Sequence, residues 1–159
     1  MGGVADRLRE MGLELPARRS AGQYVGAVRS GDLVFVSGAG PGGPSGMITG
    51  KVGAGLDVPA AQAAARLCVL SGLSALQEEL GSLDTIARVV KLLGFVNSAP
   101  GFSQQHVVMD GASSLLVSLF GERGRHARSS VGVAELPFNI AVEVEMIVQA
   151  PAAGGPARP

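Results

Sequence analysis

From Ile140 to Gln149 the chain alternates side-chain character without a fault, the period of a β-strand with one face buried. Val142, Val144, Met146 and Val148 fall on one face, while Glu143, Glu145, Ile147 and Gln149 fall on the other. Two carboxylates therefore stand side by side. Ala127 to Ala134 predicts a strand just before it, with a turn built on Pro137 and Asn139 between them. Arg128, Ser130, Gly132 and Ala134 share one face of that strand. If the two strands lie together, the Arg128 guanidinium comes near one or both carboxylates.

Upstream, Leu33 to Ser37 is a compact apolar strand, joined to an extended Gln23 to Arg29 through the turn residues Ser30-Gly31-Asp32. A flexible glycine loop, Gly38 to Gly43, leads to another short strand near Met47. Asp57 is placed to cap a helix with Pro59 in its first turn, and this helix runs to about Leu80 with Ala65, Val69, Leu73, Leu76 and Leu80 as its apolar stripe. Thr85 to Asn97 predicts a long strand, and Ser103 to Phe120 a second helix with Val107, Val108, Ala112, Leu115, Leu116 and Leu119 on its apolar face. Val4 to Gly12 predicts a short peripheral helix. Leu13 to Gly22 predicts an irregular lead-in, and the tail from Pro151 to Pro159 predicts disorder. Two helices separated by a strand belong on one face of a single mixed sheet, so the expected fold class is α+β in one domain, residues 1–150, followed by the tail 151–159.

Composition narrows the function. The chain has 159 residues and equal numbers of basic and acidic side chains, 13 of each, so no overall field favours nucleic acid or an anionic membrane. Cys68 is the single cysteine, which excludes an internal disulfide and suits a reducing compartment. It reads as a small core residue. The first residues have neither a basic nor an apolar leader segment, so the expected location is cytoplasmic. The apolar run from Val58 to Leu76 is largely alanine and is interrupted by Gln62, Ser71, Gly72 and Ser74, the mark of a buried helix. Gly38 to Gly43 matches G-x-G-x-x-G, yet Pro44, Gly46 and the β-prone Met47-Ile48-Thr49 leave no helix for a pyrophosphate to sit on. Residues 46–52 imitate a phosphate loop, but Ser45 replaces its first glycine and Val52 its magnesium-binding hydroxyl. His106 and His126 lack metal-ligand spacing and read as surface residues. On these residues alone, one arginine and two glutamates on neighbouring strands are most often a solvated, salt-bridged sheet face rather than a site.

Arg128-Ser129-Ser130-Val131, then Leu136-Pro137, then Val142-Glu143-Val144-Glu145 resembles the C-terminal signature of the Rid family, also called the YjgF or reactive-intermediate imine deaminase family. The likeness extends from about Gly22 to Val148. It implies a chorismate-mutase-like fold, a homotrimer with ligand clefts between subunits, and no cofactor or metal. The implied activity is hydrolysis of reactive 2-imino acids to 2-oxo acids and ammonia, with the imino or oxo acid as the partner and neither nucleic acid nor membrane. By the resemblance, Arg128 binds the substrate carboxylate and Glu143 assists the attack of water. Tyr24, within Gly22-Gln23-Tyr24-Val25, and the backbone around Gly38 line the cleft. Ser130 and Asp110, which stand where relatives carry cysteine and asparagine, are expected with them to bind substrate, Gln23 and Ala39 depart from proline and glutamine, and Glu145 reads as structural. Two other functions stay open: a non-catalytic trimer that binds small carboxylates in a regulatory or protective role, and an endoribonuclease. Neutral charge and few aromatic residues weigh against the latter.

Overall fold

The computed structural model describes residues 2–17 and 22–151. In chain order these form α1 (Val4–Glu10), β1 (Ala27–Ser30), β2 (Leu33–Ala39), the short strands β3 (Gly42–Gly43), β4 (Gly46–Met47), β5 (Lys51–Val52) and β6 (Gly55–Leu56), α2 (Val58–Leu80), β7 (Arg88–Asn97), α3 (Gln105–Phe120), β8 (Ala127–Val133) and β9 (Val142–Gln149). The main sheet has the order β1-β2-β9-β7-β8. Its pairs are antiparallel except β7 with β8, which is parallel, so the sheet is mixed as expected. The lead-in expected from Leu13 is described only as far as Ala17. The expectation of a disordered tail falls almost wholly on residues 152–159, outside the described residues.

Both long helices lie on one face of this sheet. The Asp57 side chain accepts the Ala60 N–H at 2.9 Å and starts α2, satisfying one of the donors that a helix N-terminus leaves open. Ala65, Val69, Leu73 and Leu76 are buried along its stripe, while Leu80, at its end, is only partly covered. Each buried leucine contributes about 1.5–3 kcal/mol. α3 buries Val108, Ala112, Leu115, Leu116 and Leu119. The two helices approach so closely that a Cβ on Gly111 would stand 2.4 Å from the Gln62 carbonyl oxygen, and the Gln62 side chain donates to the Val107 carbonyl at 2.8 Å.

Several expectations need correction. The long strand begins at Arg88, because Leu83–Thr85 forms a 3-10 turn capped by Ser82, and α3 begins at Gln105 rather than Ser103. The N-terminal helix is not peripheral: Val4 and Leu8 are buried and the Val4 N–H donates to Asp84 Oδ1 at 2.8 Å. Most consequentially, β8 and β9 do not lie side by side. β7 runs between them, pairing with β9 on one edge and with β8 on the other.

The face away from the helices carries Val28, Phe35, Leu93, Phe95, Val131 and Ile147. Val28 is 53% exposed, and Phe35 and Val131 are each 43% exposed. Exposed apolar patches are the kind of surface on which partners or ligands dock.

Candidate functional site

Glu143 sits on the open face by the alternation of β9, opposite Phe95 of β7, with Val142 and Val144 buried on either side. Its carboxylate reaches the end of β2, where the register with β9 shifts between Val36 and Ala39. The bulge turns Gly38 towards Glu143. A Cβ on Gly38 would lie 2.2 Å from Glu143 Oε1, so only glycine leaves room for the carboxylate. Burial raises the Glu143 pKa above the usual glutamate value, and the charge of Glu145, two residues along the same face, adds to the rise. Gly38 also lines a cavity of about 350 Å3, bordered by Tyr24, Ala39, Met47, Ser71 and Ala75. Gly38 therefore adjoins Glu143 on one side and shares the cavity wall with Tyr24, while Glu143 is not among the residues that line the cavity.

A buried asparagine fixes the turn that leads into β9. Asn97 is fully buried and its side-chain amide donates to Asn139 Oδ1 and to the Ile140 carbonyl, both at 3.1 Å, while Lys51 Nζ donates to its Oδ1 at 2.9 Å. These bonds hold the Pro137–Asn139 turn, in which Phe138 and Asn139 take positive φ, at the start of β9. Composition gave no sign of this role, since an asparagine at a strand end also reads as an ordinary turn residue.

Arg128 is elsewhere. The β7–β8 register sets it beside Leu92, on the helix face, whereas Glu143 pairs with Phe95 on the open face. With β7 intervening, the two backbones are about 10 Å apart at two strand spacings, and the side chains point to opposite sides. The expected meeting of Arg128 with a carboxylate of β9 therefore does not occur within one chain. Arg128 turns to α3 instead: Nη1 donates to Asp110 Oδ1 at 2.9 Å and to Ser113 Oγ at 3.0 Å, and Nη2 donates to the His106 carbonyl at 3.1 Å. Its side chain is 23% exposed and that of Asp110 57%. An ion pair so open to water adds at most about 1 kcal/mol, so these contacts orient the guanidinium more than they stabilise the fold. Ser130, two residues on, has its hydroxyl enclosed and without a hydrogen-bond partner among the described residues. The structure thus joins Arg128 with Asp110 and Ser130 at the β8 edge, apart from Tyr24, Gly38 and Glu143.

Two further residues belong to this second group. His126 is half-buried rather than a surface residue, and its ring bridges the Gly124 carbonyl and Ser113 Oγ. Ser113 had no signal of its own in the sequence. Cys68 is buried against the Val142 carbonyl, and burial raises its pKa, so it stays a thiol. Among the described residues no cluster of His, Cys, Asp and Glu is placed to hold a metal ion, and no helix is long and apolar enough to cross a membrane.

A main mixed sheet with two helices on one face, an apolar open face, and an Arg-Ser strand set one strand away from a Glu-x-Glu strand together define a class of small α+β protein. A model of the family described as Endoribonuclease L-PSP matches residues 15–150, and the chain belongs to that family, the YjgF or Rid group. It is 50% identical over 151 residues to Protein TCP17 of Trypanosoma cruzi, covering 93% of this chain and 94% of that protein. The crystal structure of Atu1372 from Agrobacterium tumefaciens superposes with a TM-score of 0.86 at 46% identity, over 92% of this chain and 93% of that one. The YjgF gene product of E. coli superposes with a TM-score of 0.54 at 28% identity, over 82% and 90%.

Proposed function

We propose that the chain is a cytoplasmic hydrolase of reactive 2-imino acids, working in a cleft that a second copy of the chain completes, in a homotrimer. One observation carries the reading: an arginine held by α3 with two N–H groups left open and a carboxylate of raised pKa are both present, yet they sit on opposite faces of the sheet. In a 2-imino acid the carboxylate carbon is bonded directly to the imine carbon, so anchor and base must act within a few Å of each other. The exposed apolar face offers the surface on which copies would associate and bring the Arg128 edge of one to the Glu143 corner of the next. Oligomers of closed symmetry commonly form in this way.

In that cleft the two free donors of the Arg128 fork hold the substrate carboxylate by charge-assisted bonds. Glu143 orients a water and takes its proton as the oxygen bonds to the imine carbon and the C=N π electrons move to nitrogen. The carboxyl then returns the proton to nitrogen. Glu143 next takes the hydroxyl proton of this carbinolamine and delivers it to the amino nitrogen, the O–H electrons re-form C=O, the C–N bond breaks, and ammonia leaves with a 2-oxo acid. A raised pKa makes Glu143 the stronger base for the first step, and Tyr24 and the Gly38 backbone line the space beside it.

The test generates 2-iminobutanoate in situ and follows 2-oxo acid release by wild type, Arg128→Ala and Glu143→Gln. Arg128→Ala should act chiefly on KM and Glu143→Gln on kcat, by about a hundredfold or more. No acceleration by the wild type, or full activity in both variants, refutes the reading. The second reading, a non-catalytic binder of small carboxylates, draws on the Asp110 carboxylate already held by Arg128 and on Ala39 in the cavity wall. Calorimetric binding of 2-oxobutanoate that needs Arg128, without imine turnover, would favour it. Ribonuclease activity, named in the family description, would require RNA cleavage that survives purification and responds to these substitutions.

A further inference from the structure

Arg128 is held by more than its ion pair. His126 Nδ1 lies 2.6 Å from the Gly124 carbonyl, which can only accept, so Nδ1 carries the proton. Nε2 of the neutral ring is then an acceptor, and Ser113 Oγ, 3.0 Å away, donates its single proton to it. The lone pairs of Ser113 are left facing Arg128, whose Nη1 donates to Oγ at 3.0 Å. Each bond fixes the direction of the next, and such chains strengthen cooperatively.

We propose that His126, acting through Ser113, is a positioning residue that orients the Arg128 fork for a ligand carboxylate and makes that binding depend on pH. This rests on Arg128 being the carboxylate anchor. Of five guanidinium N–H groups, Nη1 uses two on Asp110 and Ser113, and Nη2 uses one on the His106 carbonyl. Nε–H and the second Nη2–H remain, two donors suited to a side-on carboxylate. Asp110 alone would let the guanidinium pivot about one contact. Ser113, on the next turn of α3, fixes its plane.

Protonation of His126 reverses the chain. Nε2–H becomes a donor, the Ser113 proton must turn away, and its lone pairs are divided between two cations. The surroundings do not relieve this. Arg88 of β7 and Arg125 line the same cleft as His126, Arg123 is bonded to the Ile86 carbonyl, and the carboxylates of Asp110 and Glu122 are engaged by Arg128 and Arg125. Burial, opposed by the Gly124 hydrogen bond and reinforced by the Arg128 charge, holds the ring below the usual histidine value, in the neutral form the chain requires.

The test measures the Kd for 2-oxobutanoate by calorimetry and kcat and KM for 2-iminobutanoate between about pH 5.5 and pH 8, the range in which histidine changes charge. Wild-type binding should weaken as pH falls through the His126 pKa, which burial holds below the usual value of about 6.5, and should level off about tenfold weaker once the ring is charged. His126→Phe and Ser113→Ala should bind about tenfold more weakly at neutral pH, a change of 1.4 kcal/mol, with kcat within about twofold and no remaining pH dependence from this source. Ser113→Thr, which keeps the hydroxyl, should restore both affinity and pH dependence. Melting curves identify variants that do not fold, and Ser113→Ala carries the test if His126→Phe is one of them. Variants that bind as wild type with its pH dependence, or that lose kcat with KM unchanged, overturn the proposal while Arg128→Ala still abolishes binding. If Arg128→Ala binds as wild type, the anchor reading fails and takes this inference with it.

Discussion

Replacing Gly38 with alanine tests the proposed role of Glu143 in activating water without replacing a reacting group. The backbone at Gly38 is not in the left-handed region, so alanine is compatible with its conformation and the effect is steric. The new Cβ would stand 2.2 Å from Glu143 Oε1, 2.8 Å from its Cδ and 3.2 Å from its Cγ, whereas ordinary contact begins near 3.4 Å. The carboxylate must therefore retreat by about 1 Å, a shift the steep repulsive wall enforces. It is the end of a flexible side chain, so the fold cost should lie at the low end of the 1–3 kcal/mol typical of overpacking. Catalysis should suffer more, because misplacing a reacting group by about 1 Å lowers rates on the order of a hundredfold. Initial rates of 2-oxo acid release, taken with a melting curve, read both effects. A kcat within twofold of wild type in a folded Gly38→Ala protein would refute the placement of Glu143 as the water partner.

Glu143→Gln should raise the melting temperature at neutral pH. The folded pKa of Glu143 is raised, so its favourable protonated contribution is complete below the unfolded value of about 4.3 and is lost as pH rises through the folded value. Above that point the wild type carries a partly buried charge that glutamine lacks. The gain is small, since the group is partly exposed and screened, and melting curves near pH 4 should show it vanish. Gly111→Ala drives a Cβ against the Gln62 carbonyl, backbone that cannot swing aside, and should cost about 1–3 kcal/mol or more in urea denaturation. If the open apolar face joins copies in the proposed trimer, Phe35→Asp places a charge in it and should give monomers by sedimentation with unchanged far-ultraviolet dichroism and lose the proposed activity.

What the sequence disclosed follows from how local each signal is. The cap at Asp57 and the stripe through Leu73 and Leu76 concern one helix, and α2 runs as they predict. The alternation of β9 concerns one strand, and its buried face is Val142, Val144, Met146 and Val148. Which strand lies beside β9 is a different matter. Nearness in sequence suggested β8, since consecutive strands often pair, but the segment carrying Pro137 and Asn139 passes over β7. β8 also lacks an apolar bias to betray its orientation, with Arg128, Ser130 and Gly132 on one side and Ser129, Val131 and Val133 on the other. The His126–Ser113–Arg128 chain was illegible for the same reason. Its members become neighbours only when α3 lies along β8.

The register that separates Arg128 from Glu143 is fixed by packing. A one-residue slip of β8 along β7 would turn Arg128 to the open face, nearer the carboxylates of β9. It would also bring a valine, Val131 or Val133, to the site of Gly132 on the helix face. There a Cβ would lie 2.7 Å from Gln105 Nε2 and 2.8 Å from Ser98 Oγ, and the Gln105 amide is itself tied to Ser98 Oγ and to the Phe102 carbonyl. The slip would further break the three bonds from Arg128 to α3. The chain therefore keeps its anchor under α3, on the outer strand of the sheet. In the proposed trimer that edge would present Arg128 to a neighbouring copy, whereas its own Glu143 lies behind β7.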